Sequence, residues 1–326
     1  MHGHTQTPTR GLLIVNLGSP DSTDPEDVRT FLRDFLSDTK VIDFPPFLWQ
    51  PILRGIVLRV RPAKSAELYR QIWMDEGSPL VVYTKRQQEM LAEALPEWNV
   101  KYAMTYTEPS IAESLDEMAA EGVTDVTVVP LYPQWAPSSS GAIADQVHDY
   151  FRKNPDKLQW RIVKAWPTEK AFINWHADTI ERALAAQPES ERAQLVVCSY
   201  HGVPERKVHR PAGYRTECEA STAAIGAALC ERGIDVPVIS TFQSKFGPGK
   251  WLTPATIDTM ASLPDKGVTS VMLATPSFVA DCIETLEELD IQNQDAFKEA
   301  GGVRYARIPP INDDPAFVDV IKKLIA

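Results

Sequence analysis

Short apolar runs alternate with stretches of helical period along the whole chain. Gly11–Leu17, Val100–Thr105, Asp125–Leu131, Leu158–Val163, Leu195–His201, Val236–Ser240 and Ser270–Ala274 are rich in β-branched residues and predict buried strands. Between them the spacing predicts helices: Pro25 to Leu36 with Asp24 as its cap, Ala63–Trp73, Thr84–Leu95, Ser110–Ala120, Gly141–Arg152, Ala171–Ala186, Tyr214–Arg232, Pro254–Ser262, Asp281–Leu289 and Asp314–Ile325. Strands followed by helices imply parallel sheets built from βαβ units. The pattern also repeats. Gly122-Val123-Thr124-Asp125-Val126 recurs as Gly267-Val268-Thr269-Ser270-Val271, and Leu12–Pro20 resembles Leu195–Pro204, each an apolar strand running into a glycine and then a proline. The chain is therefore read as two similar α/β domains with an active crevice between them.

Composition narrows the function. A length of 326 residues suits two domains, and a net charge of −11 argues against a nucleic-acid partner, which would need a basic footprint. Cys198, Cys218, Cys230 and Cys282 lack the close spacing of a zinc or redox motif. The polar first ten residues, His2 and His4 included, carry no secretory pattern, so reduced thiols and the cytoplasm are expected. No run is long enough to span a membrane. Ile42–Arg59 is still unusual: Phe44, Phe47, Leu48 and Trp49 crowd a stretch that prolines break into a loop, with arginines among and after them. It reads as an apolar lip at a pocket mouth or as a patch for a membrane surface.

Four stretches can carry chemistry. The strand Leu195–His201 ends in a histidine followed by Gly202 and Pro204, at the edge where open α/β sheets bind ligands. There His201 is either a turn residue or a proton acceptor and metal ligand. Asp281, Glu284 and Glu288 are spaced to share one helical face beyond a second strand; as a plain charged first turn they would explain Asp281 better than Glu288. A histidine from one strand end and carboxylates from another suit acid–base work or handling of a divalent metal in transit. Tyr132–Gly141 and Phe242–Leu252 add aromatic, glycine–proline and basic residues fit for a large flat anionic ligand. No G-x-G-x-x-G or P-loop is present to support nucleotide binding.

Together, Ser199-Tyr200-His201-Gly202-Val203-Pro204, Phe242–Leu252, Asp281–Glu288, Tyr132–Gly141, Gly18-Ser19-Pro20 and Gly77-Ser78-Pro79 resemble the ferrochelatase family from Gly11 to the last helix. The resemblance implies two Rossmann-like α/β domains with parallel four-stranded sheets (the chelatase fold), spanning 1–165 and 166–302, with a C-terminal segment 303–326 returning to the first. It implies insertion of Fe²⁺ into protoporphyrin IX, with His201 and Glu284 as catalytic pair and passing metal ligands and with Glu288 and Asp281 as a proton or metal path. Leu17, Arg61, Ser78, Tyr106, Tyr132, Trp166, Ser244 and Phe278 match positions around the porphyrin, and Phe44–Leu58 matches the lip, a surface for peripheral membrane contact. Coproporphyrin III chelation, cobalt chelation and porphyrin carriage without chemistry are the alternatives; a cobalt chelatase would be expected to show a second histidine where Cys282 stands. The chain departs from the family at Thr105, where an arginine is usual, at Gln292, where a third acid is usual, and at Pro211–Tyr214. It lacks the terminal cysteine cluster of some members, and Pro137 replaces a further cysteine ligand, so no iron–sulfur cofactor is expected.

Overall fold

The apolar runs form two parallel sheets in a computed structural model that describes residues 10–205, 212–245 and 249–326. His2, His4, Pro211 and the middle of the 242–252 loop, Phe246–Pro248, lie outside the described residues. The strands are β1 (Arg10–Asn16), β2 (Trp98–Met104), β3 (Asp125–Pro130), β4 (Gln159–Ile162), β5 (Leu195–His201), β6 (Val238–Gln243), β7 (Ser270–Ala274) and β8 (Arg304–Arg307). One sheet runs β2-β1-β3-β4 and the other β6-β5-β7-β8. Counted within each sheet the order is the same, so the internal repeat is a repeat of topology. Gly122 and Gly267, before the third strand of each, both adopt left-handed φ, 88° and 81°. That conformation favours glycine and explains why this stretch of the repeat survives in the sequence.

The helices are α1 (Pro25–Ser37), α2 (Pro46–Ile52), α3 (Leu58–Ile72), α4 (Pro79–Ala94), α5 (Ile111–Ala120), α6 (Ala142–Lys153), α7 (Lys170–Ala185), α8 (Ala212–Glu231), α9 (Thr256–Ser262), α10 (Gln294–Glu299) and α11 (Ala316–Ile325), with a π-helix over Glu284–Asn293. Two compact units result: residues up to Tyr132 with Ala136–Ala165 and Leu324–Ala326, and Pro133–Trp135 with Trp166–Lys323. In the first, Leu13, Val15, Val126 and Val128 pack with Ile111, Leu115, Ile143 and Val147. In the second, Leu195, Val197, Val271 and Leu273 pack with Met260, Leu289 and Phe297. Each such buried side chain contributes roughly 1.5–3 kcal/mol of transfer free energy, which makes the strand ends firm supports.

Several expectations are corrected. The lip is helical: α2, a π turn over Leu53–Val57, and α3 running through Pro62. Pro46 sits in a first turn, where no N–H is needed, and Pro51 and Pro62 lie inside the helices on either side of the π turn. The fourth helix starts at Pro79, earlier than the apolar period suggests, because Ser78 precedes a proline in the first turn. β6 is shifted toward Gln243, and β8 was not anticipated. The segment 303–326 does not return to the first unit as a whole. Arg304–Arg307 instead pairs with the open edge of β7, satisfying its backbone groups, and only Leu324–Ala326 belong to the first unit, where Arg161 donates to the Ile325 carbonyl at 2.8 Å.

Candidate active site

In the second sheet the order reverses between β5 and β7, and the ligand crevice of such sheets lies beyond the carboxyl ends at that point. β5 ends there in His201. Behind it Val196, Val197, Cys198 and Tyr200 are fully buried. The Tyr200 hydroxyl and Thr222 of α8 share a hydrogen bond of 2.8 Å, and Tyr214 of α8 donates to the His201 carbonyl at 2.8 Å. The His201 ring is half-buried, with Nδ1 at 2.8 Å from the Gly202 carbonyl oxygen. A carbonyl only accepts, so Nδ1 carries the proton of the neutral ring and Nε2 keeps its lone pair. Gly202 in turn donates its N–H to the Gln243 carbonyl at 2.8 Å, and a Cβ there would stand 2.5 Å from that oxygen. Only glycine lets the two strand ends approach this closely.

Gln243, directly across from His201 in the β5–β6 register, joins the strands to the π-helix. Its Oε1 accepts from Ser199 at 2.7 Å, and its Nε2 donates to the Glu284 carbonyl at 2.8 Å and to Glu288 Oε2 at 3.3 Å. Ser244 follows in a left-handed turn, φ 62°, unusual for a residue with a side chain. The turn aims both of its donors at one carboxylate: N–H to Glu288 Oε1 at 2.6 Å and hydroxyl to Oε2. Burial pushes the Glu288 carboxyl above the usual range; the Ser244 bonds and the His201 charge pull it down, and Glu284 pushes it further up. His201, Glu284, Glu288 and Ser244 are thus one electrostatic group.

The other expected site residues divide. Asp281 precedes the π-helix, and both of its oxygens are engaged, by Arg307, Thr285 and Asn312. Phe278 is half-buried just beyond β7. Trp166 is only 4% exposed and packs edge-on to Phe172, so it backs a wall and has little surface for a ligand. In the first unit Leu17, Tyr106 and Tyr132 follow β1, β2 and β3, the same sheet edge that carries His201 in the second. Tyr106 donates its N–H to the Leu17 carbonyl at 3.0 Å and its hydroxyl to Asp38 at 2.7 Å. Ser78 is buried at the start of α4, and Arg61 is half-buried on α3. Thr105 uses its hydroxyl on the Asn16 carbonyl at 2.9 Å, and Gln292 donates to both oxygens of Glu287. Gln243 and Gly202 were missed as site residues; the predicted β6, ending at Ser240, hid their register. Among the described residues no group of three or more His, Cys, Asp or Glu side chains is arranged to hold a metal ion.

The family model for ferrochelatase matches residues 9–326. The chain belongs to the ferrochelatase family. It is 40% identical over 316 residues to the ferrochelatase of Pectobacterium atrosepticum, covering 97% of both chains. It is 38% identical over 316 residues to the coproporphyrin III ferrochelatase of Enterococcus faecalis, covering 97% of this chain and 98% of that one. Among solved structures, SirB from Bacillus subtilis with Fe³⁺ shares the fold at TM-score 0.57 and 13% identity, covering 98% of this chain and 96% of that one. CbiX, described as the terminal enzyme of sirohaem biosynthesis in denitrifying bacteria, does so at 0.53 and 13%, covering 96% and 99%. The fold is thus the chelatase fold, and the reaction of the family is insertion of Fe²⁺ into a porphyrin, a lyase step of haem biosynthesis.

Proposed function

We propose that this chain inserts Fe²⁺ into protoporphyrin IX and that His201 receives the protons the porphyrin gives up. As the metal enters, two pyrrole N–H bonds break, the nitrogens bind iron, and two protons must leave. The observation that carries the reading is the His201 ring: with Nδ1 committed to the Gly202 carbonyl, Nε2 keeps its lone pair, and the ring acts electrostatically on the Glu288 carboxylate. A neutral imidazole is a competent base near neutral pH. Glu284 and Glu288 then take protons onward, Glu288 aided by a carboxyl held above the ordinary range. Fe²⁺ is a substrate that tolerates imidazole and carboxylate and must not be held tightly. Glu284→Gln should lower kcat far more than it raises KM for porphyrin; a KM effect alone would point to binding.

Protoporphyrin is proposed over the four-carboxylate coproporphyrin because Phe44–Leu58 resembles the full apolar lip of the family; Phe47, Ile56 and, just beyond it, Val60 are 76%, 62% and 56% exposed. A preference in kcat/KM of at least about tenfold for protoporphyrin is expected, and the reverse preference would assign the other substrate. The same face is proposed to rest on an anionic membrane surface from the cytoplasmic side. Arg54 and Arg59 flank the apolar residues in the open, and no acid occurs between Phe44 and Ala66. No helix of the described residues is long and apolar enough to cross a membrane. Anionic vesicles should sediment the native chain and not the Phe47→Glu/Ile56→Glu variant. No iron–sulfur cofactor is part of the proposal: Cys198, Cys218 and Cys282 are buried in separate segments, and burial pushes their thiols up, that of Cys198 to about 12. The purified protein should lack cluster absorption.

A further inference from the structure

We infer that Arg307 is a positioning residue, a bracket that sets the π-helix carrying Glu284 and Glu288 without touching substrate; this rests on the reading of those carboxylates as proton carriers. Arg307 ends β8, and its side chain is only 8% exposed. Its guanidinium reaches two acids that flank the functional pair. Nη1 donates to Asp281 Oδ1 at 3.0 Å, just before the π-helix, and Nε donates to Asp290 Oδ1 at 2.7 Å, inside it. The cation itself is fixed to the sheet: Arg307 pairs with Leu273 of β7, and the next N–H, of Ile308, bonds the Leu273 carbonyl at 2.7 Å.

The Asp281 end is held three more ways. Its N–H donates to Asn312 Oδ1 at 2.7 Å, its Oδ2 accepts from Asn312 Nδ2 at 2.7 Å, and its Oδ1 accepts from the Thr285 hydroxyl at 2.7 Å. Asn312 reaches back from a left-handed turn, φ 47°, with its own N–H on the Val279 carbonyl at 3.0 Å. Further along, the Tyr305 hydroxyl donates to the Leu289 carbonyl at 2.6 Å.

A π-helix usually lasts a single turn, whereas this one runs for ten residues and starts without a side-chain cap. Its own bonds therefore need help from outside. Gln243 and Ser244 grip it at the Glu284 carbonyl and the Glu288 carboxylate. Arg307 grips it through the two aspartates. A buried ion pair is a poor source of net stability and is best attested as a device for register. Here the register is the setting of two carboxylates relative to His201.

The test combines hydrogen exchange with kinetics. Arg307→Lys keeps the charge but not the two-armed reach, and Asp290→Asn removes one arm at a partly exposed carboxylate, so it should fold even where the first variant does not. Amides of Glu284–Asn293 should exchange at least about tenfold faster in either variant, with those of β5 unchanged. In either variant kcat should fall roughly tenfold with porphyrin KM within about twofold, and in a Glu288→Gln background the extra loss should shrink to less than about twofold. Unchanged exchange over 284–293, or a full additional loss in the Glu288→Gln background, overturns the bracket. Normal turnover of Glu284→Gln and Glu288→Gln would instead sink the proton-carrier reading, and the exchange data would still judge Arg307.

Discussion

Replacing Ser244 with alanine removes the hydroxyl that donates to Oε2 of Glu288 and leaves the N–H that donates to Oε1 at 2.6 Å. Alanine inherits the same left-handed backbone, φ 62°, so the change is confined to one hydrogen bond. That bond favours the ionised carboxylate and opposes the burial that already raises Glu288. A hydrogen bond to a charged group contributes roughly 1.5–3 kcal/mol. Its loss should therefore push the Glu288 carboxyl further up in Ser244→Ala. Its carboxylate form then appears only at higher pH, and a proton acceptor works only when ionised. The acidic limb of the kcat profile should move to higher pH, with the plateau above it little changed. Anaerobic single-turnover insertion, followed by porphyrin fluorescence across pH for the native and variant proteins, reads this directly. An acidic limb that stays in place, or that moves to lower pH, refutes the role given to Ser244 and Glu288.

Gly202→Ala forces a Cβ to within 2.5 Å of a backbone oxygen, so it should cost about 1–3 kcal/mol by urea unfolding and lower kcat more than KM; a variant as stable and active as the native chain contradicts the close approach of β5 and β6. Gln243→Leu removes the donor to the Glu284 carbonyl and to Glu288, and should lower kcat about tenfold or more with porphyrin binding retained by fluorescence quenching. His176 is fully buried on α7 with neither ring nitrogen hydrogen-bonded, and burial lowers its pKa from 6.5 to about 3. The unfolded chain binds a proton below about 6.5 and the folded chain only near 3, so this group's stability is present above 6.5 and is lost as pH falls through that window. His176→Leu should flatten the loss of stability between pH 7 and 4, measured by urea midpoints, and parallel losses in both proteins would put the acid sensitivity elsewhere.

The alternation of strands and helices was legible because strands of a parallel sheet are buried on both faces and read as unbroken apolar runs. The repeat was legible where backbone geometry demands glycine, at Gly122 and Gly267. β8 left no such trace: Arg304–Arg307 is half-exposed throughout and carries two arginines, so nothing in its pattern says strand. The same gap hid the bracket, since Arg307 acquires its meaning only from pairing with β7. The acidic stretch was read as an α-helix because an apolar stripe looks alike in α and π windings over two turns. That difference in start leaves Asp281 before the π-helix. The lip was misread as a loop because prolines count against helices in a single sequence, whereas Pro46 takes a first turn and Pro51 and Pro62 lie inside helices. The place of His201 at a strand end was legible from the apolar run before it, whereas the place of Gln243 needed the register of β6.

The most direct test of the account is His201→Ala. Porphyrin should still quench protein fluorescence on binding, since the other residues proposed to lie around the porphyrin are untouched. Single-turnover metal insertion should fall by at least about a hundredfold, the scale of a lost general base, and added imidazole should restore part of it by filling the cavity the side chain leaves. Insertion within a few-fold of the native rate would contradict the assignment of His201 as the proton acceptor.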